Sequence, residues 1–124
     1  MPWPKRSMPY RDAALLLEIA TAADHIESFV TGFTETAFLA DSRTSAAVAM
    51  YLIVIGESAR ALSAAALAEA PEIPWSQIVA LRNRIAHGYQ TIDRAAIWSI
   101  ATVHVAPLRV VVRRMLAARG EATP

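Results

Sequence analysis

Along most of the chain, apolar side chains recur every three or four residues, the period of a helix with one buried face. That spacing predicts a first helix from about Tyr10 to Thr31, stopped at Gly32, and a short one through Leu39 with Thr34 as its cap. Asp41 or Ser42 is placed to start a long helix reaching about Ala68, with Pro71 and Pro74 beyond its end. Trp75 to about Ala86 forms another segment, stopped near Gly88, and Asp93 caps a last helix that ends before Gly120. Pro107 lies inside that last helix and predicts a kink. The expected fold is all-α: an up-and-down four-helix bundle with an extra short helix, spanning residues 10–119. Residues 1–9, with three prolines and no apolar run, are expected to be a flexible N-terminal tail.

Two stretches depart from the pattern of one apolar and one polar face. Ala46 to Gly56 reads AAVAMYLIVIG, apolar all round, which asks for cover on every side. A small bundle does not easily supply that cover, so the stretch predicts a homodimer through the long helix, unless the chain itself encloses it. It is also too short to span a bilayer.

The second departure is Arg82. Wound at about 100° per residue, Trp75, Ile78, Val79, Leu81, Ile85 and Ala86 share a face, and Arg82 falls inside it while Arg84 falls opposite. A guanidinium on an apolar stripe needs a partner or a wet cleft, and Glu57 is the natural partner.

Composition adds little to the fold and more to the chemistry. The 124 residues are 55% hydrophobic and 19% charged, one domain's worth of foldable chain. Eleven of the twelve basic residues are Arg, which suits phosphate recognition, although a GC-rich genome encodes the same bias. The absence of cysteine excludes disulfides, thiolate metal sites and cysteine nucleophiles. His25 and His104 have no ligand spacing, so no metal site and no cofactor are expected. A cytoplasmic protein is the simplest expectation.

The stretch Leu81 to Asp93, LRNRIAHGYQTID, concentrates the reactive residues. Arg82 and His87 stand five residues apart, about 140° around a regular helix, so they do not share a face. Either the helix unwinds before His87, or a second copy of the motif completes the site. Arg stays charged and clamps phosphate, and His titrates near neutral pH as acid or base. Asn83 is placed to orient either group, or to face solvent.

In context the stretch resembles the R-x4-H-x-Y signature of the HepT-like toxins of the HEPN superfamily. Tyr10-Arg11-Asp12, Ile55-Gly56-Glu57-Ser58-Ala59, Pro71-Glu72-Ile73-Pro74-Trp75 and Ile92-Asp93 follow that family's pattern in order and spacing. Tyr51 and Ile53 depart from it, making the long helix more apolar than in many members. The resemblance implies a metal-independent endoribonuclease in which two motifs meet across a dimer cleft, through the long apolar helix and the motif helix. It implies Arg82 and His87 as catalytic residues, with Asn83 and Glu57 supporting them. It further implies a nucleotidyltransferase antitoxin that adenylylates Tyr89 and so silences the toxin. A second reading stays open: a non-catalytic helical partner or substrate subunit of such a nucleotidyltransferase. No membrane partner is expected.

Overall fold

The computed structural model describes residues 8–120. Its α-helices are α1 (Met8–Val30), α2 (Glu35–Ala40), α3 (Ser42–Ala61), α4 (Ala64–Glu69), α5 (Trp75–Gly88), α6 (Arg94–Ser99) and α7 (Val105–Ala118). No strand occurs among the described residues. The expected tail lies outside them for residues 1–7, and helix begins at Met8, two residues earlier than the spacing predicts.

Side-chain caps set several of the boundaries. Thr34 accepts from the Ala37 amide, Asp41 from Thr44 and Asp93 from Ala95, each satisfying a donor that the first turn leaves free. Gly32 takes φ +84° to turn the chain between α1 and α2, a conformation that costs a residue with a side chain far more.

The helices alternate in direction. Asp12 on α1 meets Ser63 beyond the end of α3, while His25 meets Tyr51, so α1 and α3 are antiparallel. Gly56 meets Arg82 and Ser45 meets Tyr89, so α3 and α5 are antiparallel too. Asp24 and Glu27 on α1 pair with Arg109 on α7, and Asp24 also pairs with Arg113. Up-and-down order follows, with α5 lying on α3 and α7 on α1. Leu16, Ile19 and Ile26 of α1, Val48, Leu52 and Ile55 of α3, Ile85 of α5 and Leu108, Val112 and Leu116 of α7 form the core. From α2, Phe38 is fully buried and tilts against Trp98, ring centres 5.2 Å apart.

The structure corrects the sequence reading in three places. The long helix does not run to Ala68. It breaks at Leu62, where ψ is 147°, and Ser63 starts α4 by accepting from Ala66. Buried Asp12 fixes the break, accepting from the Ser63 amide at 3.0 Å and its hydroxyl at 2.6 Å.

The last helix is not simply kinked at Pro107. A π-turn over Ile100–His104 shifts the hydrogen-bond register first. Pro107 then falls in the opening turn of α7, where a missing N–H costs nothing.

The third correction concerns the apolar stretch of α3, which is mostly covered by its own chain. Val48, Ala49, Leu52, Ile55 and Gly56 are buried. Tyr51 stacks on His25 at 4.7 Å and packs near Phe29. What remains open is a narrow stripe of Ala46, Met50 and half-buried Ile53, ending at Glu57; Met50 is 59% exposed.

Arg94–Ala118, taken as one helical stretch, is long and apolar enough to cross a bilayer by length and composition. One face of it forms the core and Arg109 and Arg113 pair with α1, as in a bundle helix.

Candidate active site

The site starts at a glycine. Gly56 on α3 faces α5 so closely that a Cβ there would stand 2.2 Å from Arg82 Cβ and 2.8 Å from its Cγ. Only a residue without a side chain allows that approach, and it seats Arg82 against α3. From there the guanidinium reaches Glu57, forming an ion pair through Nη2, and donates from Nη1 to Asn83 Oδ1 at 2.9 Å. Nε is buried and has no hydrogen-bond partner among the described residues. The Arg82 side chain keeps 24% of its surface exposed, so the charge is at the edge of the core and not sealed in it.

Around α5, Trp75 and Ile85 are buried, Ile78, Val79 and Leu81 half-buried, and Ala86 exposed. Arg82 sits within this face, as its spacing predicts. Helix continues without interruption through Gly88, so the chain does not unwind before His87. His87 is exposed. On this unbroken helix Arg82 and His87 stand about 140° apart, so within one copy they do not share a face.

After Gly88 a tight 3-10 turn covers Tyr89–Thr91, with the Thr91 hydroxyl donating to the Gly88 carbonyl at 2.8 Å. The helix ends at Gly88, as its spacing predicts, and the glycine does so in an extended conformation, φ −167°. The turn directs Tyr89 back onto α3. Its ring packs against the core, and its hydroxyl lies 3.0 Å from the fully buried Ser45 Oγ.

Two residues with contacts here escaped sequence reasoning. Ser45, 44 positions from Tyr89, gave no signal of its own. Gly56 was visible as part of a motif, but its physical role needs the neighbouring helix.

Other features lie apart from the motif. A groove of about 590 Å³ opens between α5 and α7, lined by Ile78, Leu81, Arg84, His104 and Leu108, but by none of Arg82, Asn83, His87 and Tyr89. Among the described residues, no group of three or more His, Asp or Glu side chains converges as metal ligands.

Comparison with known proteins agrees with the motif. The ribonuclease HepT-like family is matched over residues 19–115. A candidate RNase of Methanocaldococcus jannaschii is 34% identical over 75% of this chain and 78% of its own length. A protein of Thermococcus cleftensis assigned as a ribonuclease HepT is 30% identical over 76% of this chain and 86% of its own. A further M. jannaschii candidate RNase is 29% identical over 82% of this chain and 94% of its own. No solved structure matches. With the family matched across most of the chain and the motif intact on α5, the chain belongs to the HepT-like family of ribonucleases.

Proposed function

We propose that this protein is a metal-independent endoribonuclease, the toxin of a toxin–antitoxin pair, active as a homodimer. The observation that carries the reading is the geometry of α5: Arg82 held inward at a glycine contact, His87 outward, both on an unbroken helix. RNA cleavage of this kind begins when a 2′-oxygen attacks its own phosphorus. The 5′-oxygen of the next nucleotide leaves, giving a cyclic phosphate and a 5′-hydroxyl. The step needs a base for the 2′-proton, an acid for the leaving oxygen and positive charge on the phosphoryl oxygens. His87 supplies the acid or base, Arg82 the charge, and Asn83 and Glu57 hold the guanidinium in place.

The exposed stripe of α3 supports the dimer. Ala46, Met50 and Ile53 recur at helical spacing and lead to Glu57, the partner of Arg82. Association along that stripe sets two motifs side by side, so Arg82 of one copy and His87 of the other serve one phosphate. Tyr89 is the acceptor through which a nucleotidyltransferase antitoxin silences the enzyme. Its oxygen attacks the α-phosphorus of a nucleoside triphosphate, pyrophosphate leaves, and the hydroxyl proton is released. The added phosphate puts negative charge two residues from His87.

A second reading, a non-catalytic partner subunit of the nucleotidyltransferase, is favoured by one observation: both terminal nitrogens of Arg82 are already engaged within the chain. Expression in a bacterium without the partner, beside His87→Ala, separates the two. The ribonuclease reading expects growth arrest and fragmented RNA from the wild type and neither from the variant at equal soluble level. Harmless expression of both, with RNA left intact by the purified protein, would sink it in favour of the partner-subunit reading.

A further inference from the structure

Besides its apolar packing, the motif segment meets α3 at two specific contacts. One is the Gly56–Arg82 contact and the other is the Ser45–Tyr89 hydrogen bond, eleven residues away along α3, or about 16 Å of helix. His87 lies in the last turn of α5, between Arg82 and the Tyr89 turn, exposed and with no side-chain hydrogen bond among the described residues. Its placement therefore depends on how firmly the end of α5 is held.

The Ser45 hydroxyl has two hydrogen-bond neighbours. Ser45 Oγ donates to the Ser42 carbonyl at 3.2 Å. With that bond made, Tyr89 is the donor at the 3.0 Å contact; with the Ser45 proton turned to Tyr89, the phenol oxygen accepts instead, and either order joins the two side chains. Ser45 is fully buried, which leaves no space beside its Oγ for anything larger than the hydroxyl it meets. Beyond this bond and the packing of Tyr89 and Ile92 on the core, the hydrogen bonds of the turn over Tyr89–Thr91 among the described residues are local, from Thr91 to Gly88 and from the Ile92 amide to the Tyr89 carbonyl at 3.1 Å. Gln90 and Thr91 themselves are exposed.

We propose that Ser45 is a positioning residue for His87, acting through the Tyr89 hydroxyl, and that any group replacing the hydroxyl proton unlatches the end of α5. The proposal rests on the ribonuclease reading for its effect on turnover. It changes how silencing works: a nucleotidyl group on Tyr89 replaces the hydroxyl that meets Ser45 and cannot fit against it. The side chain swings out, and His87 loses its support as well as its access to phosphate.

The test compares wild type, Ser45→Ala, Tyr89→Phe and the double variant, with two readouts. In RNA cleavage, each single variant lowers kcat by about three- to tenfold, the reach of one hydrogen bond, with KM held within about twofold. The double variant is no slower than the slower single, because both changes break one contact. The pH profile moves with kcat in both singles. In NMR, the His87 imidazole signals shift and the Ile92 amide exchanges faster in both. Cleavage by Ser45→Ala at the wild-type rate, or losses that multiply in the double variant, overturns the latch and leaves Tyr89 acting directly on RNA. If the wild type cleaves nothing, the ribonuclease reading fails separately. The NMR arm then still decides: His87 signals and Ile92 exchange unchanged in Ser45→Ala overturn the latch, and changed ones uphold it.

Discussion

Two arginine–carboxylate pairs in this molecule look alike on paper and differ in the way they are built. Arg119, at the end of α7, meets Glu69 with both terminal nitrogens, at 2.8 and 2.6 Å, and also donates to the Met115 carbonyl at 3.1 Å. Those bonds to Glu69 raise its already high pKa against the opposing effect of burial. Arg82 meets Glu57 through one nitrogen, turns another to its sequence neighbour Asn83, and leaves Nε without a partner among the described residues. Its stem is seated by the close backbone approach at Gly56, while Glu57 and Asn83 orient its head. A cation kept in place by shape and only partly satisfied by hydrogen bonds is available to a phosphate; one satisfied bidentately is structural.

The comparison breaks most visibly at the two arginines themselves. Arg82→Ala should cost about two to three orders of magnitude in RNA cleavage, the usual loss when a charge aimed at a transition state is removed. Stability should change by less than about 1 kcal/mol, because Glu57 is 47% exposed and simply rehydrates. Arg119→Ala should do the reverse. It loses the bidentate pair and the packing of its stem, about 1–2 kcal/mol in thermal unfolding, with cleavage unchanged. Parallel melting and cleavage measurements check both, and equal melting losses with equal cleavage losses would erase the distinction.

Gly56→Ala tests whether shape does hold Arg82. Replacing a helical glycine by alanine ordinarily stabilises by about 1 kcal/mol. Here the new methyl meets Arg82 Cβ at 2.2 Å, close to the backbone of α5 and unable to rotate away. Overpacking of that kind costs about 1–3 kcal/mol or more, so the clash should win by about 1–2 kcal/mol. Cleavage should fall with it as α5 shifts. A variant that melts higher than wild type would show α5 to be loosely seated.

How much of this was readable in advance follows from distance along the chain. Thr34, Asp41 and Asp93 cap within three residues of themselves, and all three were legible. So was the Arg82–Glu57 pairing, since a cation on an apolar stripe needs an acid and Glu57 follows the apolar run. The break at Ser63 was not, because Asp12, which fixes it, is 51 residues away. The Ser45–Tyr89 bond spans 44 residues and hides for the same reason. The cover around α3 was misjudged because α1 and α5 enclose more of it than a residue count suggests; only the Met50 stripe stays open. The π-turn before Pro107 escaped because the sequence shows the missing donor, not the register that absorbs it.

The smallest effect separates a backbone cap from a surface ion pair. Two carboxyls sit below their ordinary values: Asp41, chiefly through the Thr44 amide it caps, and Glu72, chiefly through its hydrogen bond from Arg114. A carboxyl lowered in the fold stabilises above its ordinary value, 3.8 for Asp and 4.5 for Glu, and loses that contribution as pH falls through its folded value. Thermal unfolding followed from about pH 5 to pH 2 should therefore show midpoints that fall, and Asp41→Asn and Glu72→Gln should each flatten part of the decline. Salt distinguishes them. The Glu72–Arg114 pair is more than half exposed on both sides, so its share should fade at high ionic strength. The Asp41 cap is a short hydrogen bond to backbone at 3.0 Å and should persist. Equal salt sensitivity in the two variants would mean that the cap, too, acts mainly through its charge on the first turn of α3.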